Sequence, residues 1–237
     1  KALAARGESV ILAVRDTQKG KAAAAEIRLL QPKAQLDVLP LDLSDLETVW
    51  NFADAFHSRY NRLDLLVNNA GVMGIPFRKT SEGFELTLGV NHFGHFALTG
   101  LLLDSLINTP AARVVTVSSG MHRLGKPSLA EIIAPEKHQK WAAYANSKLA
   151  NLLFAYELQR RFEASNLDTL SLAAHPGYAA TNLQTSGPAM EGNQVAIWFM
   201  KLANQIFAQS AELGALPILY AGTAEDVRGG DYIGPES

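Results

Sequence analysis

Residues 63–71 read LDLLVNNAG, and this stretch decides the fold. A short and mostly apolar run, Leu63–Val67, is followed at once by polar residues and a glycine. Such a run, bounded by turn residues, is typical of a strand that is buried on both faces of a sheet. Residues 113–120, RVVTVSSG, repeat the pattern, and the sequence from about Glu82 to Leu106 between them has helical spacing. A strand, a helix and a second strand form the unit of a parallel sheet.

The same alternation continues outward to both ends of the chain. The further predicted strands are Val10–Val14, Leu36–Leu41, Thr169–Ala174 and Tyr232–Ile233. The further predicted helices are Gln18–Leu30, Leu46–Tyr60, Trp141–Glu163, Val195–Phe207 and Ala211–Tyr220. Ser44 and Glu47 predict a capping box at the start of the second of these helices. Because the sequence contains no repeat and no linker, residues 1–237 are predicted to form a single α/β domain with a doubly wound parallel sheet.

The composition narrows the classes of function. The 237 residues include 21 basic and 23 acidic ones, which gives a net charge of −2, and both kinds are scattered along the chain. A nucleic-acid partner is therefore not expected. Cysteine is absent, which excludes thiol nucleophiles and cysteine-ligated zinc. No apolar stretch reaches the ~20 residues of a membrane span. We expect a cytoplasmic protein and leave a membrane anchor upstream of the sequence open.

Chemistry is expected in the loops after the strands, because ligands bind at the carboxyl ends of strands in a doubly wound sheet. Ser119 ends one predicted strand, and the next predicted helix carries Tyr144 and Lys148. The i, i+4 spacing places the phenol and the ammonium on one helix face. Surface pairs with this spacing are common, but the serine that precedes the pair predicts that all three side chains face one cleft.

A phenol beside an ammonium suits acid–base chemistry. A free phenol has a pKa of about 10. A cation ~4 Å away, at an effective dielectric constant of ~20, contributes about 4 kcal/mol, or roughly three pKa units before burial opposes it. We therefore expect Lys148 to lower the pKa of Tyr144, and Ser119 to donate to the oxygen of an alcohol or a carbonyl. None of the three side chains accepts a hydride, so a hydride carrier is required.

Taken together, the motifs resemble the short-chain dehydrogenase/reductase family over essentially the whole chain. The resemblance is carried by Ser119, Tyr144, Lys148, the run Asn68–Gly71, Asn91 and the pair Pro176–Gly177. Residues 13–16, 91–96 and 147–154, and the step of 25 residues from Ser119 to Tyr144, are similar to the retinol-dehydrogenase-like branch. The resemblance implies a Rossmann-type fold, NAD or NADP as the hydride carrier, and interconversion of an alcohol with its aldehyde or ketone.

The resemblance also implies roles for single residues. Tyr144 would donate and accept the proton, Lys148 would lower its pKa and bond the nicotinamide ribose, and Ser119 would orient the substrate. Asn91 would anchor a water molecule that links Lys148 to solvent. The other implied nucleotide contacts are Asp42 and Leu43 at the adenine, Asn69, Ala70 and Gly71 on the adenosine side, and Pro176, Gly177 and Thr181 at the nicotinamide.

Arg15 favours NADP(H) over NAD(H). NAD-specific folds place a carboxylate at the end of the second strand of the fold, whereas an arginine there accommodates the 2′-phosphate of NADP. Val14 occupies the acidic position and Arg15 follows it. A guanidinium pairs with a phosphate through two hydrogen bonds. The plainer alternative is a solvated strand end with Asp16 beside it.

The remaining features concern the substrate and assembly. The polar insert 124–140 is expected to shape one wall of the substrate mouth, and residues 184–208 are a candidate lid over a small lipophilic alcohol or carbonyl. A packed amphipathic helix is the alternative for the lid. The resemblance implies a homodimer formed by helices near residues 97–106 and 141–162.

The first residues, Lys1–Gly7, have the pattern of a helix end. We therefore expect the first strand of the fold and its glycine-rich pyrophosphate turn to be absent from this sequence, which would then be N-terminally incomplete. In the family's strand order, 3-2-1-4-5-6, that strand is central. Its absence would leave two strand edges unpaired.

The sequence also allows three other interpretations. His92 and His95 have the spacing of a metal pair, but no third ligand lies near them in the sequence, so packing roles are preferred and no metal is expected. A serine hydrolase based on Ser119 and His122 lacks the G-x-S-x-G context of a nucleophile elbow. A relative that binds nucleotide without turnover keeps the same fold and stays the main alternative to an oxidoreductase.

Overall fold

Parallel strands alternate with helices through the structure, a computed structural model that describes residues 1–126, 138–177 and 210–235. The strands are β1 (Val10–Val14), β2 (Leu36–Pro40), β3 (Leu65–Asn68), β4 (Arg113–Val117), β5 (Leu170–Ala174) and β6 (Tyr232–Ile233). The helices are α1 (Ala2–Ala5), α2 (Thr17–Leu30), α3 (Leu46–His57), α4 (Leu86–Leu88), α5 (Gly94–Leu101), α6 (Leu103–Ile107), α7 (Lys140–Ala164) and α8 (Ala211–Thr223). A π-helical turn, Gly89–Phe93, links α4 to α5, and a 3₁₀ turn, Gly120–Leu124, follows β4.

The strands lie in two parallel sheet sections. β1 pairs with β2, with Val10 opposite Leu36. The second section has the order β3-β4-β5-β6, with Leu65 opposite Arg113 in its first pair. Within the described ranges, β1 and β2 pair only with each other, and β3 and β6 are the outer strands of the second section. The predicted α/β fold with parallel strands is confirmed.

One apolar cluster joins the two sheet sections. Helices α3 and α5 pack against each other and cover β2, β3 and β4. The buried side chains of this cluster include Leu39, Leu41, Phe52, Phe56, Leu66, Leu98, Leu106 and Val114. Because each fully buried side chain of this kind contributes roughly 1.5–3 kcal/mol, the cluster is the main force that holds the sections together.

Aspartates cap the two helices that follow β1 and β2. The Asp16 carboxylate caps α2. Helix α3 begins after Asp45, whose carboxylate accepts a hydrogen bond from the N–H of Glu47 at 3.0 Å. The predicted capping box with Ser44 is therefore wrong. The Ser44 hydroxyl donates instead to Oδ1 of Asp42 at 2.6 Å, which tightens the loop before the helix.

The helix predicted over residues 82–106 is shorter and interrupted. It begins at Leu86, and the turn Gly89–Phe93 has π-helical hydrogen bonding. A π turn inside a helix often marks a functional site. At Gly94, an added Cβ would lie 2.6 Å from the carbonyl oxygen of Leu43. The helix and the loop after β2 therefore approach so closely that only glycine fits.

Three predicted features lie wholly or partly outside the described ranges. They are the helix Val195–Phe207, the candidate lid 184–208, and residues 127–137 of the insert. Of the helices that the structure describes, none is both long and apolar enough to cross a membrane.

The close approach at Gly94 leads to a stability prediction. Gly94→Ala is expected to lower the free energy of unfolding by about 1–3 kcal/mol, because the new methyl group collides with the backbone of Leu43. Gly100→Ala is the matched control on the same helix, since nothing lies within 4 Å of its added Cβ. Urea unfolding of both variants measures the difference, and an equal stability for the two would contradict the close approach.

Candidate active site

The predicted site residues converge at the carboxyl ends of β3, β4 and β5. Ser119 lies just beyond the end of β4, and the turn Pro176–Gly177 lies just beyond the end of β5. Asn69 opens the loop after β3. Tyr144 lies in the second turn of α7, which packs on β4 and β5. Because parallel strands end at the same edge of a sheet, these elements meet in one place.

Tyr144 is buried beside Ser119. Only 4% of its surface is exposed. Burial raises the pKa of Tyr144, and a hydrogen bond from Ser119 opposes that rise. Ser119 itself begins the 3₁₀ turn, and its hydroxyl oxygen accepts a hydrogen bond from the N–H of Met121 at 3.3 Å. The structure thus brings the phenol and the serine hydroxyl together.

Lys148 lies one helical turn beyond Tyr144 and is also buried. Its Nζ atom donates to the carbonyl oxygen of Val117 at 3.0 Å and lies 5.7 Å from the centre of the Tyr144 ring. Burial lowers the pKa of Lys148 to about 8, so the amine is still mostly protonated at pH 7. The predicted fall in the pKa of Tyr144 is wrong, because burial of the phenol outweighs the influence of its neighbours.

A hydrogen-bond network fixes α7 against the end of β4. The hydroxyl of Ser118 donates to the carbonyl oxygen of Lys148 at 2.7 Å. The Asn151 amide donates to the Val117 carbonyl oxygen at 3.1 Å, so that oxygen accepts from both the lysine and the asparagine. Oδ1 of Asn151 bonds the His92 ring at 3.1 Å. The backbone and the amine of Lys148 are therefore both tied to β4.

Asn91 connects the π turn to the loop after β3. Its side chain accepts from the N–H of Val72 at 2.7 Å and donates to the carbonyl oxygen of Val72 at 2.9 Å. It also donates to the hydroxyl of Ser147 at 2.9 Å. At Gly71, an added Cβ would lie 3.0 Å from Oδ1 of Asn91 and 3.8 Å from Nζ of Lys148. This glycine keeps the space between the asparagine and the ammonium free of side-chain atoms.

The two histidines of the π region act as hydrogen-bond partners. Nδ1 of His95 bonds the carbonyl oxygen of Asn91 at 3.0 Å, and because a carbonyl only accepts, that nitrogen carries the proton. Burial lowers the pKa of His95 to about 4, so the ring is neutral at pH 7. No three metal-binding side chains come together within residues 1–126, 138–177 and 210–235.

Ser119 has no imidazole base in the part of the chain that the structure describes. Nδ1 of His122 lies 2.7 Å from the carbonyl oxygen of Ser119 and bonds that oxygen instead of the hydroxyl. A serine nucleophile needs a base within hydrogen-bond reach of its hydroxyl. The geometry therefore gives no support to the serine-hydrolase interpretation.

The residues expected to contact the adenosine side line the loops after β1, β2 and β3. Arg15 is exposed and makes no ion pair with any described residue, while the neighbouring Asp16 carboxylate caps α2 and pairs with Lys19 at 3.5 Å. Asp42 accepts from the backbone of Ser44 at 2.9 Å, which occupies one of its carboxylate oxygens.

The remaining sequence-predicted residues differ in their accessibility. Leu43 is buried, whereas Asn69 and Ala70 are exposed at the open end of β3. Gly177 has a φ of +66°, which only glycine adopts readily, and it follows the half-buried Pro176. Thr181 lies outside the described residues.

Sequence reasoning missed two groups near the site. Asn68 is buried and its amide donates to the Thr99 hydroxyl at 2.9 Å, which fixes the end of β3 to α5. In the sequence, only the adjacent pair Asn68 and Asn69 indicated a role for this residue. The Tyr232 ring contacts the rings of His122 and His175 near Ser119, and only the position of His175 at a strand end indicated this.

Exposed apolar side chains lie near the start of α7. Trp141 lies three residues before Tyr144 and therefore on the same helix face, and 45% of its surface is exposed. Its indole packs over Gly74, where an added Cβ would lie 3.2 Å from the ring. Phe77 and Leu124 are 47% and 67% exposed. The loop after β3 and the 3₁₀ turn thus bring apolar surface close to the start of α7.

With this geometry in place, comparison with known proteins identifies the class. A family model described as short chain dehydrogenase matches residues 1–192. The chain therefore belongs to the short chain dehydrogenase family.

Particular relatives place it near the retinol dehydrogenases. It is 45% identical to human retinol dehydrogenase 12 over 181 residues, which cover 76% of this chain and 57% of that protein. It is 39% identical to mouse retinol dehydrogenase 12 over 225 residues, which cover 95% of this chain and 68% of that protein. A crystal structure of an uncharacterised protein from Mycobacterium paratuberculosis is 42% identical, with a TM-score of 0.77 over 99% of this chain and 74% of that one.

Family membership sets the general chemistry. Short chain dehydrogenases are oxidoreductases that bind a nicotinamide dinucleotide and act on small molecules. The donors present fit such a nucleotide. Lys148 holds a cation beside the Tyr144 phenol, and Arg15 presents an unpaired guanidinium among the described residues at the end of β1.

The buried ammonium leads to a prediction about stability and pH. The pKa of Lys148 is about 8 in the folded protein and 10.5 ordinarily, so the unfolded chain binds more protons between these values and stability rises with pH there. Below pH 8 the full cost of the buried charge, on the order of 3 kcal/mol, is present.

Lys148→Met is therefore expected to be more stable than the natural protein at pH 7, with a difference that shrinks as the pH approaches about 10. Urea unfolding at several pH values measures this difference in stability. Lys21→Met is the control, because the Lys21 side chain is exposed on α2. A difference that stays constant with pH would show that the lysine carries no burial penalty.

Proposed function

We propose that the protein is an NADP(H)-dependent oxidoreductase that interconverts an alcohol with its aldehyde or ketone on a small lipophilic substrate. The observation that carries this proposal is the buried phenol of Tyr144. It lies beside the Ser119 hydroxyl, and the buried Lys148 ammonium lies 5.7 Å from the centre of its ring. A proton donor, an oxygen-binding hydroxyl and a cation in one place are what carbonyl reduction needs from a protein.

Hydride transfer to and from the substrate carbon is the chemistry that the bound nucleotide supplies. In reduction, the substrate oxygen accepts hydrogen bonds from Ser119 and Tyr144, and the Tyr144 proton passes to that oxygen as its charge develops. The carbonyl thus gains one hydride and one proton and becomes the alcohol. Lys148 stabilises the phenolate that remains, and its amine, with a pKa of about 8, can return a proton at neutral pH.

The raised pKa of Tyr144 suits its role as the acid in reduction. A phenol is protonated at neutral pH, and burial shifts the balance further towards the form that donates the proton. Alcohol oxidation requires the phenolate as a base, so its rate is expected to rise with pH.

The proposal assigns the nucleotide to the loops at the strand ends. Tyr144 and Lys148 would hold the nicotinamide ribose. The exposed Asn69 and the side-chain-free space at Gly71 suit the adenosine side. The further residues assigned to the nucleotide are Asp42, Leu43, Ala70, Pro176, Gly177 and Thr181, and Asn91 is assigned to the proton path.

Arg15 supports NADP(H) as the preferred nucleotide. A guanidinium binds a phosphate strongly when no carboxylate competes for it. The one carboxylate next to Arg15 in the chain belongs to Asp16, which is already engaged by the N-terminus of α2 and by Lys19.

Apolar surface around the cleft supports a lipophilic substrate. Trp141, Phe77 and Leu124 are exposed large side chains on three separate elements near the Tyr144 end of α7. Exposed apolar groups that gather around a polar centre are typical of ligand-binding clefts. The proposed substrate is a carbonyl or alcohol with an apolar group next to the reacting carbon.

Tyr144→Phe tests the proposed chemistry. Removal of the hydroxyl is expected to lower kcat for carbonyl reduction by about 100- to 10,000-fold, because the proton donor is lost. NADPH affinity is expected to stay nearly unchanged, because Lys148 still bonds the ribose and the Tyr144 ring is kept. Tyr156→Phe, an exposed tyrosine on the same helix, is the control. Turnover is followed by the loss of NADPH absorbance, and affinity by calorimetry. Rates near those of the natural protein would remove the acid–base role.

Arg15→Ser tests the nucleotide preference. Loss of the guanidinium is expected to raise KM for NADPH by about 10- to 100-fold and to leave KM for NADH almost unchanged, because only NADPH carries the 2′-phosphate. Arg59→Ser, another exposed arginine, is the control. An equal change for the two nucleotides would contradict the assignment of the phosphate to Arg15.

A further inference from the structure

Three aromatic side chains form a row at the carboxyl ends of β4, β5 and β6. The ring of Tyr232 lies between those of His122 and His175, and we call these three residues the aromatic clip. The Tyr232 and His122 rings meet edge to face with centres 5.3 Å apart, and the Tyr232 and His175 rings are 5.1 Å apart. His122 lies in the 3₁₀ turn after β4, His175 directly follows β5, and Tyr232 is the first residue of β6, so the clip joins three neighbouring segments.

Both outer members of the clip are attached to a loop of the active site. Nδ1 of His122 donates to the carbonyl oxygen of Ser119 at 2.7 Å, and the backbone N–H of His122 donates to the same oxygen at 2.9 Å. At the other end, Nδ1 of His175 accepts from the N–H of Gly177 at 3.3 Å. The row of rings therefore connects the serine that faces the substrate with the turn after β5.

The Tyr232 ring makes the apolar part of the connection. Its Oη atom is 3.4 Å from Nδ1 of His122, whose proton is directed at the Ser119 carbonyl oxygen, and the hydroxyl also bonds the side chain of Ser118. The ring packs against Leu152, Ala155 and Ala173, which lie on α7 and β5. Tyr232 is thus wedged between the helix that carries Tyr144 and the two histidines.

The residues after Tyr232 complete the contact with the turn. The N–H of His175 donates to the carbonyl oxygen of Ile233 at 2.8 Å. At Gly234, an added Cβ would overlap the His175 imidazole ring, and an added Cβ at Gly177 would lie 2.8 Å from Pro235. Gly234 and Pro235, which follow β6, therefore contact both ends of the turn His175–Gly177.

We propose that Tyr232 and Gly234 are positioning residues, which hold the Ser119 loop and the His175–Gly177 turn at a fixed separation. This inference rests on the proposed function, in which Ser119 holds the substrate oxygen and the turn lies at the nicotinamide. Because a misplacement of about 1 Å between reacting groups costs on the order of 100-fold in rate, a clip that spans the two loops controls hydride transfer without touching the substrate.

Substitution of Tyr232 tests the ring. Tyr232→Ala is expected to lower kcat by about 10- to 100-fold, with a smaller change in KM for the carbonyl. Tyr232→Phe keeps the ring and is expected to retain kcat within about twofold of the natural protein. The isotope effect with NADPH deuterated at the transferred position is expected to rise in Tyr232→Ala, because hydride transfer becomes slower. A lower folded fraction alone would reduce kcat and leave the isotope effect unchanged, and that result would overturn the proposal.

Substitution of Gly234 tests the path through His175. Gly234→Ala is expected to lower kcat by about tenfold or more, because the new methyl group displaces the imidazole. In a His175→Ala background the space is free, so the same substitution is expected to change kcat less than about twofold. Gly100→Ala, with open space around its added Cβ, is the control. Equal losses in both backgrounds would show that Gly234 does not act through His175.

A spectroscopic measurement separates this inference from the proposed function, since it requires no turnover. In NMR spectra of the ¹⁵N-labelled imidazoles, Gly234→Ala is expected to shift the His122 signals in the natural background and to leave them unchanged in a Tyr232→Ala background. A His122 shift in a protein without carbonyl turnover would support the clip and contradict the proposed oxidoreductase function. Unshifted His122 signals with normal turnover would contradict the clip and leave the proposed function standing.

Discussion

The Nζ atom of Lys148 is buried against the carbonyl oxygen of Val117, which also accepts a hydrogen bond from Asn151. Burial of a cation is costly unless hydrogen bonds compensate it, so this contact fixes how α7 must lie on the end of β4. The hydroxyl of Ser118 then bonds the lysine backbone and removes the remaining freedom. Tyr144 is one helical turn away, so its position beside Ser119 follows from the same contact. The orientation of the phenol is set by the burial of the ammonium.

The elements around that contact are less regular than the rest of the fold. The π turn Gly89–Phe93 directs Asn91 at the backbone of Val72, and the missing side chain of Gly71 leaves space between Asn91 and the ammonium. Gly94 allows the helix after the turn to approach the loop that follows β2. Such irregular backbone is less stable than a continuous helix, and the apolar cluster that joins the two sheet sections compensates for it. The sheet and its core thus support a site whose local structure is unfavourable on its own.

Much of the fold was predictable from the sequence because the period of apolar residues distinguishes strands from helices. The strands β1 and β6 have the predicted bounds, and the spacing of Tyr144 and Lys148 indicated a shared helix face. Features that depend on tertiary contacts were not predictable. The cap of α3 is Asp45 because the Ser44 hydroxyl bonds Asp42 instead. Burial raises the pKa of Tyr144, and the sequence did not show how deeply this side chain is buried. The contact of Tyr232 with two histidines joins residues that are 57 and 110 positions apart, and no local pattern encodes it.

The neutral ring of His95 has a consequence for how the interior carries charge. Burial and the nearby Lys148 cation hold the pKa of His95 at about 4. A proton on His95 would place a second positive charge close to the Lys148 ammonium, so the ring stays neutral at pH 7. Because the unfolded chain takes up a proton on this ring near pH 6.5, acidification from there towards pH 4 draws the equilibrium to the unfolded state. The residue that bonds the backbone of Asn91 therefore makes the folded state less stable in acid.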